Sequence, residues 1–167
     1  MKKLISLLLC MLLLLSLWGC ARKDKPVDFY YLRNSNDFIY GSANGIVTQE
    51  SRDASSHTAD LKYLLTLYIQ GPVTENLVSP FPMGCKLCSV SQVDNVVSVV
   101  LDPTFKELGG MDLTLACVCM AKTCFSITAA DTVHIQVQNE QGEPVTLETI
   151  TANNLLLEDA IPTEANE

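Results

Sequence analysis

Five cysteines in the second half of the chain are the residues best suited to chemistry. Cys85 and Cys88 form a Cys-x-x-Cys motif, a spacing that suits a metal knuckle or a redox-active thiol pair. A zinc site needs two further ligands, and the candidates are Cys117, Cys119 and Cys124. Three roles are therefore open for these thiols: metal binding, thiol chemistry, and packing in a hydrophobic core.

The segment that carries the last three cysteines predicts a helix over residues 112–125, with Asp112 as its N-cap. Cys117 and Cys124 are seven residues apart and share one face of this helix. Cys119 lies about 200° around the axis from Cys117, so the two thiols cannot converge on one ion. We expect core packing for the shared face, which comprises Leu113, Ala116, Cys117, Met120 and Cys124.

The same helix is apolar beyond that face, at Leu115, Val118 and Cys119. Either loops cover these side chains or they bind a partner, and we take them as candidate interaction residues. The sequence contains no Ser/His/Asp arrangement, phosphate-binding loop or paired-carboxylate signature. We therefore expect a protein that is not an enzyme and needs no cofactor. The alternative is a thiol, redox or metal-binding protein that uses Cys85 and Cys88.

The N-terminus has the composition of an export signal. Two lysines are followed by an uncharged apolar run of about 15 residues, shorter than the roughly 20 needed to cross a bilayer. The run ends in Leu17-Trp18-Gly19-Cys20, which resembles a bacterial lipobox. We expect residues 1–19 to be cleaved and the Cys20 thiol to receive a diacylglycerol. An uncleaved anchor with an ordinary cysteine is the alternative.

The charge balance narrows the class of partner. The chain has 19 acidic and 11 basic residues, a formal net charge of −8. Nucleic acid is excluded as a partner, because its phosphates require a basic surface. We expect a lipid-anchored protein on the extracytoplasmic face of the cell membrane, with other envelope proteins or a second copy as partners.

Five cysteines remain after Cys20 and the signal are set aside, and an odd number cannot pair completely.

The periodicity of the apolar residues predicts an α+β fold, a small mixed sheet packed with two helices. Besides the helix over 112–125, the pattern predicts a helix over residues 60–70 and a hairpin that turns at Asp94-Asn95. The predicted strands are residues 27–32, 46–49, 86–91, 96–101 and 132–138, with an extended crossing at 78–84. No strand is predicted after residue 138.

The central stretch "LYIQGPVTENLVSPFPMGCKLCSVSQVDNVVSVVLDPTF" resembles the GerMN domain of sporulation and spore-germination lipoproteins. The specific part is the series Gly71-Pro72, Ser79-Pro80 and Pro82-x-Gly84, followed by an apolar strand and Phe105. The resemblance implies an α+β fold related to the ring-building modules of bacterial secretion assemblies, without enzymatic activity. We divide the chain into a signal peptide (1–19), a linker (20–27), a GerMN-like domain (28–142), and a C-terminal extension with an acidic tail (143–167).

Overall fold

Strand β1 (Val27–Arg33) is the centre of a first, three-stranded sheet. Its alternate side chains Val27, Phe29 and Tyr31 are buried, as a strand with one covered face requires. It pairs antiparallel with β2 (Val47–Arg52) on one side and with the short β3 (Leu77–Val78) on the other. In this computed structural model the described residues are 26–34, 45–54, 57 and 59–155. The predicted signal peptide, Cys20 and the acidic tail from residue 156 lie outside them.

Helix α1 (Leu61–Ile69) follows β2, and the helix predicted over residues 60–70 is confirmed. The Asp60 carboxylate accepts a hydrogen bond from the Tyr63 amide at 2.9 Å and thereby caps the first turn. Leu64, Leu65 and Tyr68 form its buried face. The helix ends at Ile69, and Gly71 follows with a φ of +102°, in the region that favours glycine.

A second sheet has four strands in the order β4 (Leu87–Val93), β5 (Val96–Leu101), β6 (Thr132–Gln138) and β7 (Pro144–Thr151). Strands β4 and β5 form the predicted hairpin, and Asp94 at its turn has a φ of +51°. Strands β5 and β6 are parallel, so the chain crosses over between them through a short 3₁₀ helix (Pro103–Glu107) and helix α2 (Gly110–Ile127). Strand β7 pairs antiparallel with β6 and forms an edge.

Helix α2 lies between the two sheets and contacts β1, β6 and β7. It begins two residues earlier than predicted, after Gly109, and no side chain caps it. The prediction of Asp112 as N-cap is therefore wrong. Asp112 lies within the first turn, where its negative charge interacts favourably with the helix dipole and stabilises the helix. Among the described helices, α2 alone is long and apolar enough to cross a membrane, but eight of its residues are buried as in a core helix.

The predicted α+β class with two helices is confirmed. The strands form two sheets instead of one, because β1 pairs with β2 and β3 and not with the strands around β5. Strand β7, which the sequence pattern does not predict, lies in the segment assigned to the C-terminal extension.

Candidate interaction site

The Gly-Pro turn (residues 71–73) is held by a buried ion pair from strand β2. Arg52 donates hydrogen bonds to the Gly71 carbonyl at 2.6 Å and to the Tyr31 hydroxyl at 2.9 Å. Its guanidinium also bonds the Glu50 carboxylate, with distances of 3.2 Å from both Nε and Nη2. The same carboxylate accepts from the Val73 amide at 3.0 Å. Both charges are thus satisfied, and together they fix the backbone on either side of Pro72.

Tyr68 joins the Gly-Pro turn to the aromatic core. Its ring stacks on Phe29 at 5.6 Å and meets Phe81 edge-on at 5.2 Å between centroids. Its hydroxyl donates to the Tyr30 carbonyl at 2.7 Å, and its own carbonyl accepts from the Tyr31 hydroxyl at 2.9 Å. Burial holds the pKa of Tyr68 well above its ordinary value. The Gly-Pro and Ser-Pro-Phe-Pro stretches therefore shape the core; they do not form an exposed reactive centre.

The environment of Cys85 and Cys88 disfavours thiolate chemistry. Burial, followed by the negative charge of Asp102, raises the pKa of Cys85 to about 12. The same two causes raise the pKa of Cys88, whose thiol donates to the Gln138 side-chain carbonyl at 3.3 Å. A nucleophilic or redox-active pair requires the opposite shift. Both thiols are free, and no three His, Cys, Asp or Glu side chains of the described ranges gather as metal ligands.

The cysteines of α2 are buried, and burial raises the pKa of Cys117, Cys119 and Cys124 to about 12 in each case. The predicted core face is confirmed: Ala116, Cys117, Met120 and Cys124 are buried and Leu113 is partly buried against them. These thiols act as small apolar side chains.

Two of the three candidate interaction residues on the other flank of α2 are buried. Cys119 is fully buried and Val118 is 7% exposed, whereas Leu115 is partly buried. The first sheet covers the Cys119 side of this flank: Thr123, one turn further along α2, accepts a hydrogen bond from the Tyr30 amide of β1 at 2.9 Å. Binding of a partner by this flank stays a prediction for Leu115, which is partly exposed, and for Val118, which lines the groove described next.

An open groove of about 490 Å³ lies between α2 and β7, and we name it the α2–β7 groove. Leu113, Thr114 and Val118 line its helical wall, and Leu147, Glu148 and Ile150 line its strand wall. Glu148 is the charged residue of this lining, and no lysine or arginine of the described segments contributes to it. Volume and composition resemble those of a binding site for an apolar group with one polar contact.

The two sheets around a central helix define an α+β domain with a groove at one edge. The sequence of this domain matches a known protein family. The family model for sporulation and spore germination, Germane, matches residues 28–143, and the chain belongs to this family. The solved tandem GerMN domains of the sporulation protein GerM from Bacillus subtilis are similar at a TM-score of 0.49 and 20% identity, covering 77% of this chain and 47% of that one.

A candidate lipoprotein from Clostridium perfringens is similar at a TM-score of 0.40 and 19% identity, covering 74% of this chain and 89% of that one. The chain spans about half the length of the GerM structure. A comparison with curated proteins finds no match.

Proposed function

We propose that this member of the sporulation and germination family is a lipid-anchored envelope protein that binds another protein and catalyses no reaction. The observation that supports the proposal is the α2–β7 groove, an open and largely apolar surface beside a core helix. Apolar surface that folding leaves uncovered commonly marks a site of interaction.

The thiol alternative has less support. Cys85 is buried with its pKa at about 12, and Cys88 also has a raised pKa, so both thiols stay protonated at neutral pH. The Asp102 carboxylate beside them acts against ionisation. A nucleophilic cysteine needs a cationic or helix-terminal neighbour, and the causes of these two shifts include none.

The proposed anchor would hold the domain near the membrane. Cys20 precedes Val27, the first residue of β1, by seven positions, a segment that spans at most roughly 24 Å when extended. Ser126 at the end of α2 donates to the Asp28 carbonyl at 2.6 Å, so this end of the helix lies beside the start of β1. The groove residue Thr114 is about 18 Å further along the helix.

The anchor is tested by Cys20→Ala. We expect the variant to keep its signal segment and to lack the mass of a diacylglycerol. Equal mass of the two proteins would contradict lipid attachment at Cys20.

Protein binding is tested by photo-cross-linking on native membranes. A benzophenone amino acid at Thr114 probes the groove, and the same amino acid at Thr66 is the matched control. Both threonines are exposed on a helix and donate to the carbonyl four residues earlier. We expect a discrete protein adduct from position 114 and none from position 66. Absence of any adduct from both positions would contradict the proposal.

A further inference from the structure

The α2–β7 groove also indicates the chemistry of its occupant. We infer that it binds a peptide segment of another protein with apolar side chains and a lysine or arginine opposite Glu148. The inference rests on the proposed function and names the class of partner that this surface recognises.

The apolar part of the argument comes from the two walls. Leu113 and Val118 on α2 face Leu147 and Ile150 on β7 across the groove. Leu147 is 38% exposed, and Leu113 and Ile150 are partly exposed. Covering these side chains would contribute about 25 cal/mol for each Å² of apolar surface removed from water.

The cationic part of the argument comes from Glu148. Burial raises the pKa of the Cys117 thiol, and the negative charge of the Glu148 carboxylate raises it further. Cys117 is on the helical wall, so the charge of Glu148 acts across the groove and not only toward solvent. No basic side chain of the described lining compensates it, and a partner's lysine or arginine would. The net charge of −8 would assist the encounter.

Two occupants from this chain itself are disfavoured by charge. Residues 156–167 contain four carboxylates, those of Glu158, Asp159, Glu164 and Glu167, and no basic residue. They would bring like charge toward Glu148. A second copy of the chain carries the same net charge of −8 and would be repelled in the same way.

The edge of β7 is poorly suited to pairing with a further strand. Its register against β6 shifts between Ile135 and Gln136, which leaves Leu147 as an extra residue of β7. Bulges and charged side chains are devices that protect sheet edges from strand addition. The groove therefore recognises side chains of its partner, and the family match, which ends at residue 143, does not include its strand wall.

The test is selection of peptides from a random 12-residue phage-display library on the purified full-length protein in detergent. We expect at least tenfold enrichment of peptides that combine leucine, isoleucine or phenylalanine with a lysine or arginine. Thr114→Trp fills the groove and should abolish the enrichment, whereas Thr66→Trp, the matched helical control, should retain it. Glu148→Lys should change the selected charge to aspartate or glutamate, and Glu75→Lys on an exposed turn should leave it unchanged.

Several results would overturn the inference. The first is that the selected peptides show no preference for lysine or arginine. The second is that Glu148→Lys selects the same charge as the wild type. The third is that Thr114→Trp enriches peptides as strongly as the wild type does. Enrichment only after deletion of residues 156–167 would identify the chain's own tail as the occupant, and a concentration-dependent dimer lost in Thr114→Trp would identify a second copy. If adducts still form from position 114 on membranes, the proposed function survives such a failure. If those adducts are absent too, both fail.

Discussion

The guanidinium of Arg52 lies 3.2 Å from the Glu50 carboxylate, and the two side chains are only 11% and 7% exposed. The pair lies under the Gly-Pro turn, where each charge also bonds the backbone of the turn. The rings of Phe29 and Tyr31 lie 5.2 and 5.5 Å from the guanidinium carbon. An ion pair with this many additional partners fixes a loop conformation, and its stabilising effect is lost when either member is removed.

Arg52→Met should therefore lower the free energy of unfolding by about 3 kcal/mol, because it leaves the Glu50 carboxylate buried without its cation. Urea denaturation followed by circular dichroism measures the change. Lys62→Met on the exposed face of α1 is the control and should stay within about 0.5 kcal/mol of the wild type.

The double variant Glu50→Met/Arg52→Met should be less destabilised than the sum of the two single changes, since no unpaired charge then remains. Additive effects of the two substitutions would show that the side chains act independently, contrary to the geometry.

Local patterns were sufficient to predict several elements. The alternation of Val133, Ile135 and Val137 predicts β6, and all three side chains are fully buried. The Asp94-Asn95 turn predicts the β4–β5 hairpin, in which β4 continues to Val93, two residues further than predicted. In these segments the contacts that determine the structure are close in sequence or repeat with the period of the element.

The division of the strands into two sheets could not be predicted in this way. Strand β3 pairs Val78 with Leu32, residues far apart in the chain, and contributes only two residues. For the second apolar flank of α2 the sequence pattern leaves two alternatives open, cover by other parts of the fold and binding of a partner. The structure places Cys119 in the core, on the side of a first sheet that the pattern does not separate from the second. Strand β7 was missed because the extra residue Leu147 interrupts the alternation of its side chains. The groove depends on β7 and was missed for the same reason.

Substitutions on the two sides of α2 test whether Cys119 lies in the core and Leu115 near the surface. Cys119→Lys should abolish folding or cost about 3 kcal/mol or more, because it places an unpaired cation in the core beside Tyr68. Leu115→Lys should cost roughly 1 kcal/mol, since Leu115 is partly exposed and a lysine can reach water. Thermal unfolding of the two proteins provides the comparison. Equal stability of both variants would place Cys119 at the surface.

The hairpin turn provides a test of backbone strain. Asp94 has a φ of +51°, a conformation that costs a β-branched residue more than it costs aspartate or glycine. Asp94→Val should lower the free energy of unfolding by about 1 kcal/mol, and Asp94→Gly should leave it unchanged or raise it slightly. Asn95 donates a hydrogen bond to the Asp131 carboxylate, just before β6, and is unchanged in both variants. Similar stabilities of the two variants would contradict the positive φ.

The buried thiols predict a loss of stability at alkaline pH. Burial raises the pKa of Cys124 from 9.0 to about 12 in the folded protein. Between these values the unfolded chain releases the thiol proton and the folded protein keeps it. Because the folded state then binds more protons, the free energy of unfolding falls as pH rises; the stabilisation is complete below pH 9 and is lost toward pH 12.

Cys124→Ala removes this contribution and separates it from other titrations. The variant should be about 1 kcal/mol less stable than the wild type at pH 8, because the substitution leaves a small cavity. Between pH 8 and pH 10 the wild type should lose about 1.4 kcal/mol more than the variant, the contribution of one thiol across one pH unit above its ordinary pKa. Urea denaturation with a phosphine reductant at both pH values measures the difference. Parallel losses in the two proteins would show that Cys124 ionises in the folded state as readily as in the unfolded chain.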